Sequence, residues 1–320
     1  MHDNDLWIRQ LEVRAAWMSF SGGLTQNEIA ARLGVSQAKV HRLIASALKS
    51  GIVRIEIAER PRQCLELEDH LTRQFGLRTS TVVPTEGAAQ DTAAAIAAIA
   101  MTSAHFLANL LAAPDLRQIG VGMGRTLKSA IEVLPKLNRH DLSIVSVSGS
   151  LTRRLSANPY DVVQAFQARV GGEGFYLPVP YLAQSREEKD MFHRQKSVME
   201  LLARARQSDL FVIGIGSLED EGHLVANQLI SAAERDELRA KGAVGDLMGR
   251  FINAGGTSLE TEAGAKAVGL HFEEVRGARV LALVAGISKA PATHAALRSG
   301  FLTDIVLDEG LARRLQEFGV

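Results

Sequence analysis

Cysteine is almost missing from this chain: Cys64 is the only one in 320 residues. A lone thiol cannot close an internal disulfide, so a disulfide-stapled scaffold is excluded. No CxxC pair, HExxH or acidic EF-hand loop occurs either, and the nine histidines are scattered, so neither a metal nor a cofactor is expected. Net charge is absent too, and a chain that is 46% hydrophobic and 22% charged has neither the polarity of a disordered protein nor the apolarity of a membrane protein. Its apolar runs, such as 93–101 and 280–285, fall short of the roughly 20 residues that span a bilayer. The first residues, MHDNDLW, are acidic and polar where a secretory signal is basic and then apolar, so a cytoplasmic, globular protein with no membrane partner is expected. Cys64 itself recurs with Leu67, Leu71 and Phe75 at helical spacing, which predicts a buried apolar position and argues against a redox sensor.

What the chain does have begins at residue 24, in LTQNEIAARLGVSQAKVHRLIASALKSG. Thr25 followed by Glu28 is a capping box, so a helix is predicted from Gln26; Gly34 ends it, because glycine takes the left-handed conformation without steric cost. Ser36 offers a second N-cap, and Val40, Leu43, Ile44, Ala47 and Leu48 form an apolar stripe that stops before Gly51. The reading is helix, tight turn, helix, with Ala30 small where the helices cross and Ile29, Leu33, Val35, Val40 and Leu43 sharing one core. The second helix is left with a polar face of Gln37, Lys39, His41 and Arg42 near its N-terminus, suited to base edges or phosphates in a major groove. Candidate DNA contacts are therefore Thr25, Gln26, Ser36, Gln37, Lys39, His41 and Arg42. Beyond Gly51, IVRIEI alternates as a short strand would and predicts a wing. Between Thr25 and Ile55, five cations stand against Glu28 alone, which places positive charge where DNA would lie. An ordinary helical hairpin with a solvated basic face is the competing reading of the same residues.

After Pro61 the pattern changes to apolar runs alternating with longer helical stretches. Strands are predicted over 80–83, 118–121, 142–147, 209–215, 279–284 and 303–307, and helices over 64–75, 89–111, 126–134, 160–170, 187–206, 290–298 and 309–318. This is an α/β fold with a mainly parallel sheet, and such sheets hold ligands at the carboxyl ends of their strands. Three strands run into polar, glycine-bearing turns. QIGVGMGRTL enters a helix through Gly122, Gly124, Arg125 and Thr126, a backbone that can cradle an anion, although GxGxT also marks ordinary strand-to-helix turns. The second turn supplies Ser148, Gly149 and Ser150; the third supplies Gly214, Gly216 and Ser217. Together they predict one shared pocket for a small, polar, anionic ligand.

In order along the chain, the segments LTQNEIAARLGVSQAKVHRLI, GVGMGRTL, YLPVPY, DLFVIGIGS, GAVGDLMGRFINAGG and VAGISKAPATHAALRSGFLTDIVLDEGLARRL resemble the SorC family of sugar-sensing bacterial transcriptional regulators. The resemblance implies a winged helix-turn-helix DNA-binding domain over 1–60 and an α/β effector-binding and oligomerisation domain, similar to sugar-phosphate isomerases, over 61–320. It implies a homo-oligomer, dimer or tetramer, a palindromic operator DNA by symmetry, and a phosphorylated sugar or related carbohydrate or polyol as effector. Gly122, Gly124, Arg125 and Thr126 match the family's phosphate-facing loop, Lys289 in GISKA its basic residue, and Asp246 in GAVGD a shared pocket motif. An enzyme reading competes. LEDEGHLVAN, with Glu219, Asp220, Glu221 and His223, resembles the acid-glycine-histidine stretch of aminosugar-phosphate isomerases, but an extra acid and a shifted glycine disturb its spacing.

Overall fold

The computed structural model describes residues 2–53, 61–85, 91–150, 162–220 and 222–318. The chain divides into two compact units, Met1–Glu59 and Arg60–Val320.

In the first unit, α1 (His2–Ala16) runs into a π-helical turn (Trp17–Ser21), followed by α2 (Gln26–Leu33) and α3 (Gln37–Lys49). The Thr25 hydroxyl accepts from Glu28 N at 3.4 Å, while Thr25 N donates to Glu28 Oε2 at 2.8 Å. That backbone bond, and after it the Thr25 hydroxyl, which donates to Glu28 Oε2 at 2.7 Å, hold the Glu28 carboxyl below its usual range. Gly34 closes α2 in the left-handed region at φ 65°, and the Ser36 hydroxyl caps α3 by accepting from Lys39 N at 3.3 Å. Leu11, Ala15, Ile29, Val40, Leu43 and Ile44 form the core, flanked by Ala30, Leu33 and Val35. α1 was not foreseen, because its apolar residues divide between two faces and make no single stripe. Thr25→Ala removes half of the capping box and is expected to destabilise this unit by about 1 kcal/mol, read as a lowered Tm of the first unfolding transition. The wing expected over 52–57 lies largely outside the described residues.

The second unit opens with α4 (Arg62–Phe75), which buries Cys64, Leu67 and Leu71. Burial pushes the Cys64 thiol up to about 11, with Glu309 and Glu68 adding to the shift, so it stays a neutral core group. Then follow β1 (Thr79–Val83), α5 (Thr92–Leu111), β2 (Gln118–Val121), α6 (Arg125–Glu132), β3 (Ser143–Ser146), α7 (Val162–Val170) and β4 (Glu173–Phe175). α8 (Arg186–Arg194) and α9 (Lys196–Arg206) lead to β5 (Leu210–Ile213). The single helix expected over 187–206 is two, because Gln195 is extended at ψ 128°, and the break turns Val198, Leu202 and Ala205 of α9 into the core while α8 buries nothing.

The main sheet is parallel throughout, in the order β1, β10 (Asp304–Asp308), β9 (Arg279–Val284), β5, β2, β3, β4. Its central strands are apolar on both faces: Phe211 and Ile213 enter one core, Leu210 and Val212 the other. That is why they read as continuous greasy runs with no alternation. A small antiparallel sheet of β6 (Gly216–Ser217), β7 (Ala243–Leu247) and β8 (Arg250–Asn253), like α1 and β4, is absent from the sequence reading. Among the described residues one helix, α5, is long and apolar enough by mean hydropathy to cross a membrane, although no run of consecutive apolar residues reaches that length. Thr102, Ser103, His105 and Asn109 interrupt its hydropathy, and it buries Ala95, Ile99, Ala104 and Leu107 against the sheet as a core helix.

After β4 the chain returns to the other side of β2, so strand order reverses between β2 and β5. Ligands of open α/β sheets sit outside the carboxyl ends of the strands at such a reversal.

Candidate functional site

β2 enters α6 through Gly122, Met123 and Gly124. Gly124 holds φ 140°, a backbone that L residues rarely adopt, and it borders open space, since a Cβ there would meet nothing within 4 Å. No side chain caps α6, which leaves its first amides without an intrahelical partner. An uncapped helix N-terminus behind a glycine turn attracts anions.

A cavity of about 80 Å³ opens there. Its wall takes Gly122 to Thr126 from the β2 turn, Ser148 from the β3 turn, Gly214, Gly216 and Ser217 from the β5 turn, Asp246 from β7, and Lys289 from the segment after β9. Gly149 and Ser150, expected in the pocket, do not line it; Ser150 instead bonds with the 179–181 segment, its N donating to Val179 O and its O accepting from Tyr181 N. That pairing brings Tyr181 to the wall.

The cavity's charges are unbalanced. Neither Arg125 nor half-buried Lys289 forms an ion pair among the described residues. Burial pushes the Lys289 amine down to about 8, the Arg125 guanidinium lowers it further, and Asp246 opposes both. Glu219 also lines the cavity, but Arg239 holds it at 3.1 Å. Its neighbour Asp220 is taken by Arg235, and Glu221 lies outside the described residues.

A second polar set shares the wall. Asp246 is buried, and its Oδ2 accepts from Tyr181 OH at 3.0 Å and from Gly249 N at 2.8 Å. Burial and that carboxylate raise the Tyr181 phenol well above its usual value, so it remains a donor. Gly216 has to be glycine, because a Cβ would fall 2.0 Å from Asp246 Oδ1. Among the described residues, His223 Nε2 and Ser148 Oγ are buried without a hydrogen-bond partner. His223 is kept neutral, its pKa lowered by burial first and by Lys289 and Arg125 after that, so one ring nitrogen donates and the other accepts. Two orphaned polar atoms in one cavity are what a polar ligand satisfies on binding.

The sequence reading missed Tyr181, although it ends the quoted YLPVPY, and it weighed His223 only as an acid-base group. Thr92, Met248 and Ser288 also line the wall and had no sequence signal.

In the helix-turn-helix unit, Gln37, His41 and Arg42 are exposed on one side of α3, and Val40, Leu43, Ile44 and Ala47 are buried on the other. Lys39 is half-buried, its Nζ 5.3 Å from the Trp7 ring centroid. Thr25 and Ser36 spend their hydroxyls on the caps, and Gln26 is half-buried at the start of α2.

Comparison with known proteins decides what these two units are. The family model described as "Putative sugar-binding domain" matches residues 59–317, and the MarR family model matches residues 16–63. The erythritol catabolism regulatory protein EryD of Brucella abortus is 34% identical over 305 residues, covering 95% of this chain and 96% of its own. The chain belongs to the SorC family of sugar-sensing bacterial transcriptional regulators. The transcriptional regulator LsrR of Enterobacter is 30% identical over 309 residues, covering 95% of this chain and 92% of its own. Among solved structures, the full-length sorbitol operon regulator SorC of Klebsiella pneumoniae shares the fold with a TM-score of 0.70 at 22% identity, covering 96% of this chain and 98% of that one. A SorC-family regulator thus combines an α/β unit carrying the cavity with a helix-turn-helix unit.

Proposed function

We propose that this SorC-family regulator controls carbohydrate catabolism by binding operator DNA through α3 and releasing or tightening it when a small phosphorylated carbohydrate or polyol enters the cavity. The observation that carries the reading is the pair of cations, Arg125 and Lys289, which form no ion pair among the described residues, beside an uncapped glycine turn. A phosphate seated there gains two charge-assisted contacts and the free amides of α6. The Asp246 carboxylate, neutral His223 and the Ser148 hydroxyl then read hydroxyl groups. The EryD name refers to erythritol catabolism, so four-carbon polyols and their phosphates head the ligand screen.

The DNA contacts are Gln37, His41 and Arg42 on the open face of α3, with Lys39, Gln26, Thr25 and Ser36 near its start. A single helix-turn-helix reads half a site, which favours a homo-oligomer on a palindromic operator. The protein acts in the cytoplasm, where its DNA is, and without turnover: Glu219 and Asp220, the acids of the isomerase-like stretch, are paired with Arg239 and Arg235.

Isothermal titration with each sugar or polyol and its phosphate tests the ligand. Tighter binding of the phosphate is expected, and equal affinity for the unphosphorylated parent removes phosphate from the account. Affinity should also fall as pH rises through about 8, because Lys289 then loses its charge. It should fall again below about 6, where a phosphate monoester becomes a monoanion. In the ligand-free protein the lowered Lys289 pKa has the opposite sign: burying the ammonium costs stability below about 8, and that cost is relieved as pH rises toward 10.5. A flat affinity profile between pH 7 and pH 9, each about a unit from one of those ionisations, would show that Lys289 does not hold the ligand.

A further inference from the structure

In the first unit, α1 and α3 run side by side in the same direction, and two contacts fix this. The Lys39 ammonium, from the first turn of α3, lies 5.3 Å from the ring centroid of Trp7, and Ser46 Oγ, further along α3, donates to Glu12 Oε1 at 2.5 Å. From Trp7 to Glu12 α1 rises about 7.5 Å, and from Lys39 to Ser46 α3 rises about 10.5 Å, so the helices advance together. Leu11, Ala15 and Met18 of α1 enter the core that Val40, Leu43 and Ile44 of α3 share. Trp7 stands four residues before Leu11 on the same face of α1. It therefore extends the packed stripe past the core, to the first turn of α3.

The surface of this tryptophan is divided. It is 53% exposed, whereas Leu11 and Ala15 of the same stripe are 8% and 0% exposed. Its ring faces a cation and takes no part in the core cluster. Among the described residues its indole N–H has no hydrogen-bond partner. A large ring, an open donor and a lysine thus stand together beside the end of α3 that carries Gln37.

We infer that Trp7 is a DNA contact, whose indole N–H donates to the backbone phosphate that Lys39 neutralises. The inference rests on the DNA-binding function proposed for α3 and adds to it a residue from outside the helix-turn-helix. Position selects the occupant first: a recognition helix presents its N-terminal residues to the base edges, so a side chain standing beside that turn faces the flanking sugar-phosphate strand. Chemistry selects it second. The indole N–H only donates, and a phosphodiester oxygen only accepts. The ammonium and the indole N–H are separated by about the span of one phosphate with its two hydrogen bonds, so one anion serves both. The exposed part of the ring then lies on deoxyribose, an apolar surface with a polar rim, which suits a side chain that is apolar except for one donor. Such a contact fixes the register of α3 on the duplex and reads no base.

A purely supporting role would have the ring act on Lys39 alone, by holding its ammonium. The two roles separate because phenylalanine keeps a ring and lacks the N–H. Trp7→Phe is expected to lower affinity for operator and for scrambled duplex by a similar factor, about three- to tenfold for one neutral hydrogen bond. The slope of log affinity against log salt should stay as in the wild type, because a neutral donor releases no counterion. Wild-type affinity in Trp7→Phe overturns the contact, and a lowered salt slope in Trp7→Ala then reduces Trp7 to a support for Lys39.

Fluorescence reads the same contact without touching Trp7. The chain has two tryptophans, so Trp17→Phe leaves Trp7 as the one indole emitter, and Trp17 is 68% exposed in a turn that buries nothing, so the core is spared. Acrylamide quenching of Trp7 is followed in the full-length protein while the anisotropy of a labelled duplex reports binding independently. At saturation the quenching constant is expected to fall at least about twofold, on operator and scrambled duplex alike, because a phosphate contact carries no sequence information. Unchanged quenching where anisotropy shows a saturated duplex overturns the contact and leaves DNA binding by α3 standing, whether the ring stays open or is already covered in the free protein. No anisotropy change with wild-type protein removes the DNA-binding reading and the contact with it, so the two failures are told apart. An unchanged Tm in Trp7→Phe shows that the unit still folds; if Trp7→Ala lowers it, the phenylalanine variant and the quenching titration decide.

Discussion

Replacing Lys289 by alanine is expected to weaken a phosphorylated effector by roughly 10- to 100-fold, while operator binding without effector is unchanged. The estimate follows from a charge-assisted hydrogen bond worth about 1.5 to 3 kcal/mol, at 1.4 kcal/mol per tenfold. The loss falls in the upper part of that range because Lys289 is half-buried and forms no ion pair among the described residues, so the phosphate is its counter-charge. Gly124→Val is expected to be worse and to abolish the response. Its φ of 140° strains any side chain, and the added atoms enter the space that borders the glycine. The measurement is operator affinity with and without the effector, by fluorescence anisotropy, on variants whose unfolding shows an intact core. An undiminished response in both variants places the effector elsewhere.

How much of this was legible follows from which features are local. The caps at Thr25, Gly34 and Ser36 fall where the sequence put them, because a cap is a bargain between residues three or four apart. The bounds of β2, β9 and the helix Ala290–Arg298 match for a related reason: apolar runs buried on two faces, or ended by Ser299 and Gly300, announce themselves. The Gly122–Thr126 loop was also readable, since a glycine turn between strand and helix is a local pattern. The partnership of Tyr181 with Asp246 was not. Those residues are 65 positions apart and meet only because Ser150 pairs with the 179–181 segment and β7 pairs with β6. The same distance hid the fate of Gly149 and Ser150, whose polar, turn-forming character suggested a pocket wall when it supports one from behind. The small antiparallel sheet escaped because β6 is Gly216–Ser217 and β7 contains Gly245, residues that carry no strand propensity.

The arrangement of α3 gives the second large expected effect. Gln37→Ala and Arg42→Ala should each cost roughly 1 to 3 kcal/mol of operator affinity and relax base preference at one position per half-site, if each side chain meets a base edge. Both residues are exposed, and among the described residues the Arg42 guanidinium is held by a long 3.4 Å bond from Nε to Ala38 O, so DNA can recruit it at little cost. Lys39 differs. Its ammonium lies over Trp7, and a cation shared with an aromatic ring on α1 is placed to meet a phosphate, not to search for a base. Lys39→Ala should therefore weaken specific and non-specific DNA alike and lower the slope of log affinity against log salt by about 1. Titrations of the three variants against operator and scrambled duplexes at several salt concentrations separate the roles. Operator affinity unchanged in all three removes α3 from the DNA interface, and a base-specific defect in Lys39→Ala reverses its assignment.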